Sequence, residues 1–373
     1  MTELKDILSL HGDDYRSRYS LFPEQAKAFR DIIDCRTAKL GAHTEECDNC
    51  GHIRISYNSC RNRHCPKCQT VAKEQWIDKQ HQYLLDIGYF HAVFTVPEEL
   101  HSLFLYNQRT MYNLLFRAAS ETLMELSKND KFLGATPGFI AVLHTWGQNL
   151  LFHPHIHCIV TGGGLTSSRQ WRASRKKFFI PIKVLSKKFR GKFLAHLKQA
   201  RLTFGANDAD LRIPGNFDLF ISSLYQKPWI TYCKPPFENA AKVVSYLGRY
   251  THRVAISNNR ILSLANGMVT FSWRDYKDEN KVKNMTISAV EFIRRFMFHI
   301  LPSDFHRIRH YGILASKGKS ARTELCKRLT RTNPLISRKI RSPLEIIQTF
   351  FGSTPFLCPS CGIGRLSRAS PKS

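Results

Sequence analysis

Acidic side chains are scarce in this chain of 373 residues. Aspartate and glutamate number 29 against 56 lysines and arginines, and the formal net charge is +27. No acidic trio stands out among so few carboxylates, so a catalytic centre made of carboxylates alone is not favoured. A folded chain this basic repels itself or meets a polyanion, and nucleic acid is the usual one. We therefore expect DNA as the partner.

Long apolar runs are also missing. No run approaches the roughly 18 apolar residues that cross a bilayer, so we expect no membrane partner. The first residues, MTELKDILSLHGDDYRSRYS, lack the apolar segment of a signal peptide. We expect a bacterial cytoplasmic protein associated with the nucleoid. Eleven cysteines in such a reducing compartment indicate metal ligation rather than disulfides.

The chain has neither an internal repeat nor a low-complexity tract. Its hydrophobic content of 43% is ample for a packed core. The basic residues are spread along the whole chain rather than gathered in one tail, so the basic surface belongs to the folded body.

Hydrophobic periodicity alternates between short strand-like and longer helical segments, without a regular βαβ repeat. Strand-like segments are 89–96, 139–146, 155–161, 253–258 and 268–276. Helical segments are 1–34, 69–86, 98–127, 184–203, 238–251, 288–300 and 316–331. Asn266-Gly267 predicts a hairpin turn between the last two strands. The fold class is α+β.

These changes in hydrophobic periodicity and composition predict three consecutive domains. Residues 1–87 form a helical, zinc-binding DNA-recognition module. Residues 88–287 form the catalytic domain, and residues 288–373 form a basic helical C-terminal region.

Two CxxC motifs predict a structural zinc site. Cys47 and Cys50 form the first, and Cys65 and Cys68 form the second. Four thiolates at this spacing complete the tetrahedral shell that zinc prefers. The alternatives are disulfides or spare thiols.

Further donors crowd the same segment and allow a second zinc. They are Cys35, His43, Cys60 and His64. The alternative is that these four are core thiols and surface histidines. Another motif, Cys358-Pro-Ser-Cys361, lies near the C-terminus without an obvious second half. His306 and His310 could complete it, or it stays without metal.

The most informative stretch is WGQNLLFHPHIHCIVTGGG at 146–164. His155 and His157 point to one face of a strand, because side chains alternate with a period of two. Such a pair needs one or two more ligands to hold a divalent cation with open positions. Gln148, His153 and His144 are the candidates. The alternative is a pair of hydrogen-bonded core histidines.

A second constellation lies in NAAKVVSYLGRYTHRVAIS at 239–257. Tyr246 and Tyr250 are four residues apart in a helical pattern and share a face with Lys242. Arg249 and Arg253 follow each tyrosine by three residues. Phenols beside cations suit attack on a phosphodiester, since the cations hold the phosphate and ease phenolate formation. The alternative is two aromatic rings that pack an amphipathic helix.

Together these motifs resemble a known family. HPHIHCIV, SYLGRYTHRVAIS and FHRIRHYGIL, in that order behind the cysteine-rich segment, resemble the two-tyrosine HUH transposases of the insertion-sequence-91 type. The likeness covers roughly residues 35–315. Lys242, three residues before the second segment, and Arg307 and Arg309 in the third are the expected DNA contacts.

The resemblance implies rolling-circle-type transposition through single-stranded DNA. One tyrosine attacks a phosphate at the element's end and leaves a free 3′-OH and a 5′-phosphotyrosine, and the second tyrosine allows a further strand transfer. The histidines bind Mg²⁺ or Mn²⁺, with Gln148 favoured as third ligand. The fold implied has a central antiparallel sheet, with the histidines on a middle strand and the tyrosine helix laid across it.

Two other functions stay open. A rolling-circle replication initiator or relaxase would use the same site, although the zinc module and the RIRHYG segment favour the transposase. A non-catalytic zinc-containing nucleic-acid-binding protein would bind DNA with strong salt dependence and never form a covalent adduct.

Overall fold

The computed structural model describes most of the chain. The described residues are 2–175, 180–237, 243, 248, 254–275, 278–333, 339–352 and 356–368. They form two compact units, each made of segments that are distant in sequence. Unit 1 comprises residues 1–79, 252–300 and 339–373, and unit 2 comprises residues 80–251 and 301–338. This division differs from the three consecutive domains expected, because later segments return to pack on earlier ones.

Unit 1 contains helices and two small sheets. Its helices are α1 (Leu4–Arg18), α2 (Pro23–Asp34), most of α3 (Thr70–His81), α8 (Ala289–Met297) and α10 (Pro343–Phe351). Its strands are β1 (Ala42–Cys47), β2 (Ile53–Tyr57), β8 (Ile261–Ala265), β9 (Met268–Asp275), β10 (Lys281–Ser288) and β12 (Leu366–Arg368). The sheet orders are β12-β1-β2 and β10-β9-β8, all antiparallel.

The helices of unit 1 bury apolar faces against one another. α1 contacts both α2 and α8. Phe29, Phe292 and Phe296 are at most 2% exposed. The amide nitrogen of the buried Gln25 donates to the carbonyl of Met297 at 2.9 Å. The late segment 289–297 is therefore an integral part of the N-terminal unit.

The Asn266-Gly267 hairpin forms, but its first strand is β8 at 261–265 rather than 253–258. Both turn residues have positive φ, 51° and 71°, as the two-residue turn requires. Such a turn pairs the residues on either side of it, and Ala265 indeed faces Met268. The strand must therefore end at the turn, which the earlier segment does not reach.

Unit 2 is built on a sheet of order β11-β4-β5-β3-β7, with β6 paired to β5 and every pairing antiparallel. Its strands are β3 (Tyr89–Thr95), β4 (Thr136–Trp146), β5 (Phe152–Leu165), β6 (Trp171–Ala173), β7 (Thr231–Phe237) and β11 (Ile308–Gly312). Its helices include α4 (His101–Tyr106), α5 (Gln108–Lys128), α6 (Ile182–Lys198), α7 (Asn216–Gln226) and α9 (Lys319–Thr330). The region 288–373 is thus not only helical, since it supplies β11 and β12.

One face of this sheet forms the core of unit 2. Alternate residues such as Phe94, Phe139 and Ile156 are fully buried with α5 and α6 side chains. The rings of Phe94 and Phe189 lie 4.9 Å apart. Full burial of each such side chain stabilises by roughly 1.5–3 kcal/mol. The residues between them point to the opposite face, which carries histidines.

The α+β class, the central antiparallel sheet and the cysteine-rich N-terminal region are confirmed. In the described part of the chain, no helix is long and apolar enough to cross a membrane.

Candidate functional site

Three histidines converge on the face of the unit 2 sheet opposite its core. His144 on β4 is the cross-strand partner of His155 on β5, so their side chains project from the same face. His157 follows His155 by two residues and therefore points the same way. β5 is the middle strand of the main order, as the resemblance implied. The nitrogen donors of all three lie within 4.8 Å of one another.

The spacing of these donors fits a metal ion. Nε2 of His155 lies 3.0 Å from Nε2 of His157. Two ligands about 2.1 Å from one ion and at right angles to it are about 3.0 Å apart. The three-histidine group therefore matches a site that keeps further positions open.

Second partners orient both rings of the HxH pair. Nδ1 of His155 lies 2.6 Å from the carbonyl oxygen of His153, which only accepts, so this nitrogen carries the proton and Nε2 keeps its lone pair. Nδ1 of His157 lies 2.8 Å from Nε2 of His91 on β3. A ligating histidine uses its other nitrogen in this way.

Burial keeps the two imidazoles neutral. It lowers the pKa of His155 to about 3, helped by neighbouring His153. Burial, with His144 and His155 nearby, also lowers the pKa of His157 well below its ordinary value. Both rings thus offer lone pairs at neutral pH.

Of the rival third ligands, His144 is the one that the structure brings to the pair. His153 is absent from that group of described residues, although its ring lies beside those of His155 and His101, with centroids 5.0 Å and 6.3 Å away. Gln148 lies half-buried in the turn between β4 and β5, and its role as a ligand stays a prediction.

His91 was missed from the sequence. It lies in the strand YFHAVFT, in which every other residue between Tyr89 and Thr95 is apolar. A buried polar residue in such a strand needs a partner, which is the signal that could have found it. Its place on β3, beside β5, supplies that partner.

The predicted nucleophiles lie outside the described residues, as do their basic neighbours. These are Tyr246, Tyr250, Arg249, Arg253 and Lys242. Within that segment Val243 and Gly248 are helical. Val243 is fully buried and lines a cavity with Tyr89, Ile140 and Ile159. Ile140 and Ile159 are themselves cross-strand partners on the histidine face, so Val243 packs on that face.

The two arginines predicted to contact DNA make contacts within the protein. The Arg309 guanidinium lies 4.1 Å from the ring centroid of Phe116 and donates to Asn113 at 2.6 Å. Arg307 is 8% exposed, and its carbonyl accepts from the Leu143 amide at 2.9 Å. These contacts give both residues a packing role, and contact with DNA stays a prediction.

Eight cysteines of unit 1 form two groups, and not the single Cys47, Cys50, Cys65, Cys68 site that was expected. The first group is Cys35, Cys60, Cys65 and Cys68, and the second is Cys47, Cys50, Cys358 and Cys361. The hairpin explains the division. Cys50 lies at the tip of the β1–β2 hairpin, whereas the first group flanks its open end. Five paired residues extend about 17 Å, too far for one ion to bridge.

In the first group, Sγ of Cys68 lies 3.5 Å from that of Cys35 and 3.6 Å from that of Cys60. Tetrahedral zinc with bonds of about 2.3 Å separates its sulfurs by about 3.8 Å. The group therefore fits zinc. His43 and His64, expected as ligands beside Cys35 and Cys60, are not in it, and Cys65 and Cys68 take those places.

Comparison with known proteins places the chain in a class. Residues 138–322 match a family described as "Putative transposase", and residues 7–96 match one described as "Transposase zinc-binding domain". Transposases cut DNA and join its strands anew. No solved structure matches.

Two curated relatives point the same way. The "Putative transposase y4qJ" of Sinorhizobium fredii is 43% identical, over 98% of this chain and 94% of that protein. The "Transposase for insertion sequence element IS801" of Pseudomonas savastanoi pv. phaseolicola is 29% identical, over 89% of this chain and 80% of that protein. The chain therefore belongs to the transposases of the insertion-sequence-91 type. The family carries structural zinc in its N-terminal domain and acts on DNA.

Proposed function

We propose that this transposase cuts and rejoins single-stranded DNA through a tyrosine, at a phosphate positioned over the histidine face of unit 2. The observation that carries the proposal is the group of His144, His155 and His157, whose donors lie within 4.8 Å of one another on adjacent strands. This departs from the sequence prediction in one ligand, because His144 takes the place given to Gln148.

This donor set can hold a divalent cation, and we propose that the ion is Mg²⁺ or Mn²⁺. When bound, it would polarise the scissile phosphate and neutralise part of its charge. The protein's own contribution is to hold three imidazoles in one place. Burial keeps His155 and His157 neutral, and the His153 carbonyl and His91 fix the orientation of these two rings. Imidazoles that need not turn or lose a proton are ready for the ion.

Val243 supports placing the nucleophile on the same face. In a helical pattern Tyr246 and Tyr250 follow Val243 by three and seven residues, so all three share one face of the helix. Val243 itself packs on the strand pair that carries the histidines, and this supports the proposal that the tyrosines act at the same surface. Two tyrosines could then act at one phosphate site, alternately or on two strands.

The step exchanges one phosphodiester for another. The tyrosine oxygen attacks phosphorus, the bond to the 3′ oxygen breaks, and the phenol proton ends on the freed 3′-OH. The 5′ side stays attached to the protein as a phosphotyrosine. Since the bond energy is conserved, a 3′-OH can reverse the step without ATP. Arg249 and Arg253 are the proposed partners of the phosphate oxygens.

The test is transfer of labelled single-stranded DNA to the protein. With Mg²⁺ or Mn²⁺, wild-type protein should form an adduct that survives denaturation, and the Tyr246→Phe/Tyr250→Phe variant should bind DNA and form none. The exposed Tyr225 in α7 provides a matched control as Tyr225→Phe. An adduct that persists in the double variant would place the nucleophile elsewhere. Cutting that leaves a free 5′-phosphate would mean that water attacks.

A further inference from the structure

We propose that Cys47, Cys50, Cys358 and Cys361 form a second zinc site, which fastens the C-terminal tail to the tip of the β1–β2 hairpin. The zinc-binding family matches only residues 7–96, so half of these ligands lie outside it. The segment 356–368 would thus complete the N-terminal module.

The sulfur positions support the site. Sγ of Cys47 lies 3.8 Å from that of Cys361, and Sγ of Cys50 lies 3.6 Å from that of Cys358. All four sulfurs lie within 4.8 Å of one another. Tetrahedral zinc requires about 3.8 Å, whereas a disulfide requires about 2.05 Å. The arrangement therefore suits one shared ion better than two crosslinks.

The two halves of the site have the same local structure. Each is a CxxC motif followed by a glycine with positive φ, Gly51 at 68° and Gly362 at 69°. In the first half, Sγ of Cys47 faces the backbone N–H of Asn49 at 3.4 Å and that of Cys50 at 3.5 Å.

The C-terminal half repeats these N–H contacts with sulfur. Sγ of Cys358 faces the N–H of Ser360 at 3.4 Å, and Sγ of Cys361 faces that of Gly364 at 3.3 Å. Such donors stabilise a thiolate, the form in which cysteine binds zinc. A pair of spare thiols would not require this repeated arrangement.

The tail is shaped to approach the hairpin. The Asp48 amide donates to the carbonyl of Arg365 at 3.1 Å, and the Arg365 amide donates to the Asp48 carboxylate at 2.7 Å. A side chain at Gly364 would meet Sγ of Cys47 at 2.3 Å, so only glycine allows this approach. Leu366 then pairs with Cys47 and is buried beside Cys358.

Without a bound ion, few interactions would hold β12 against β1. β12 has three residues, Leu366–Arg368, which is short for a strand held by its own hydrogen bonds. The buried cluster beneath it contains one leucine and two thiols, Cys47 and Cys358, so apolar burial contributes little. A bound ion supplies the missing free energy, as in small zinc modules generally.

The experiment counts metal in the full-length protein, purified without chelators. We expect two zinc ions per chain in the wild type and one in the Cys358→Ser/Cys361→Ser variant. Cys326→Ser removes a buried thiol outside both groups and should keep two. Exchange to Co²⁺ separates thiolate sites from the histidine site. The thiolate-to-cobalt absorption per chain should halve in the double variant.

Limited proteolysis gives an independent reading. The segment after Gly352 should be cut faster in the double variant than in the wild type. Cys361→His keeps a zinc donor and should retain two metal ions and the slower cutting. This variant keeps the test valid if the double serine variant folds poorly. A wild type with one thiolate-bound metal, or a double variant that keeps two, would overturn the proposal.

Discussion

Nε2 of His91 lies 2.8 Å from Nδ1 of His157, and Nε2 of His157 in turn faces His155 at 3.0 Å. The two rings of His91 and His157 are almost parallel, with an interplanar angle of 12°. If His157 binds metal through Nε2, its Nδ1 proton is donated to His91. His91 is then a positioning residue that fixes the ring's orientation and tautomer.

We expect His91→Phe to weaken metal binding roughly 10- to 100-fold, the usual effect of removing such a partner. The Mn²⁺ concentration that gives half-maximal adduct formation should rise by that factor, while DNA binding stays unchanged. His91→Gln offers an acceptor oxygen and should recover part of the loss. If the wild type, His91→Phe and His91→Gln all need the same Mn²⁺ concentration, His91 has only a packing role in the core.

The third ligand can be tested by comparing His144 with Gln148. We expect His144→Ala to reduce adduct formation by more than about 100-fold, because loss of a direct ligand exceeds loss of its hydrogen-bond partner. Gln148→Ala should have a milder effect. His155→Ala and His157→Ala should abolish cutting and spare DNA binding, which rests on separate phosphate contacts. Quantitative adduct assays measure these effects. A larger loss in Gln148→Ala than in His144→Ala would support Gln148 as the third ligand, as predicted from the sequence.

Single substitutions should reveal different roles for the two tyrosines. Phenylalanine keeps the ring and removes only the attacking oxygen. We expect Tyr246→Phe and Tyr250→Phe to differ, one losing the first cut and the other losing only later strand transfer. Gel analysis of cut, attached and rejoined DNA distinguishes these products. If each single variant cuts and joins like the wild type, the tyrosines are interchangeable and a division of roles is wrong.

The first cysteine group should be needed for the fold of its module. Cys65→Ser removes one ligand and should lower the zinc content by one ion per chain, exposing residues 35–68 to protease because metal binding supplies folding free energy. Metal analysis and peptide mapping of the digest measure both effects. Cys233→Ser, in neither group, should behave as the wild type. Normal zinc content in Cys65→Ser would remove this cysteine from the site.

Arg341 holds the start of the C-terminal segment to α3. Its Nε donates to the fully buried Asp78 carboxylate at 2.8 Å, and its Nη2 donates to Glu74 at 3.0 Å. Arg341→Met leaves a buried charge without its main partner and should lower the free energy of unfolding by about 3 kcal/mol. Adding Asp78→Asn to the Arg341→Met variant should recover part of the lost free energy of unfolding, because it removes the buried charge.

Denaturant unfolding measures these differences. Exposed Lys339 provides the control as Lys339→Met, for which we expect no more than about 0.5 kcal/mol. A change in Arg341→Met no larger than this control would show that the ion pair contributes little.

The sequence by itself determined the local features. Alternation along HPHIHC gives two histidines on one face, because a strand repeats every two residues. CxxC spacing gives pairs of thiolates, and Asn266-Gly267 gives a hairpin turn, since few other residues adopt positive φ. The family, the α+β class and the presence of structural zinc all followed from such short-range patterns.

Only the tertiary structure decided which distant segments meet. His144 joins the pair because β4 and β5 align in one register, and His91 because β3 lies on the other side of β5. Cys50 meets Cys358 because β12 adds to β1, while the length of the hairpin keeps Cys50 from Cys65. Strand order and register depend on the packing of the whole unit, which spacing along the chain does not encode.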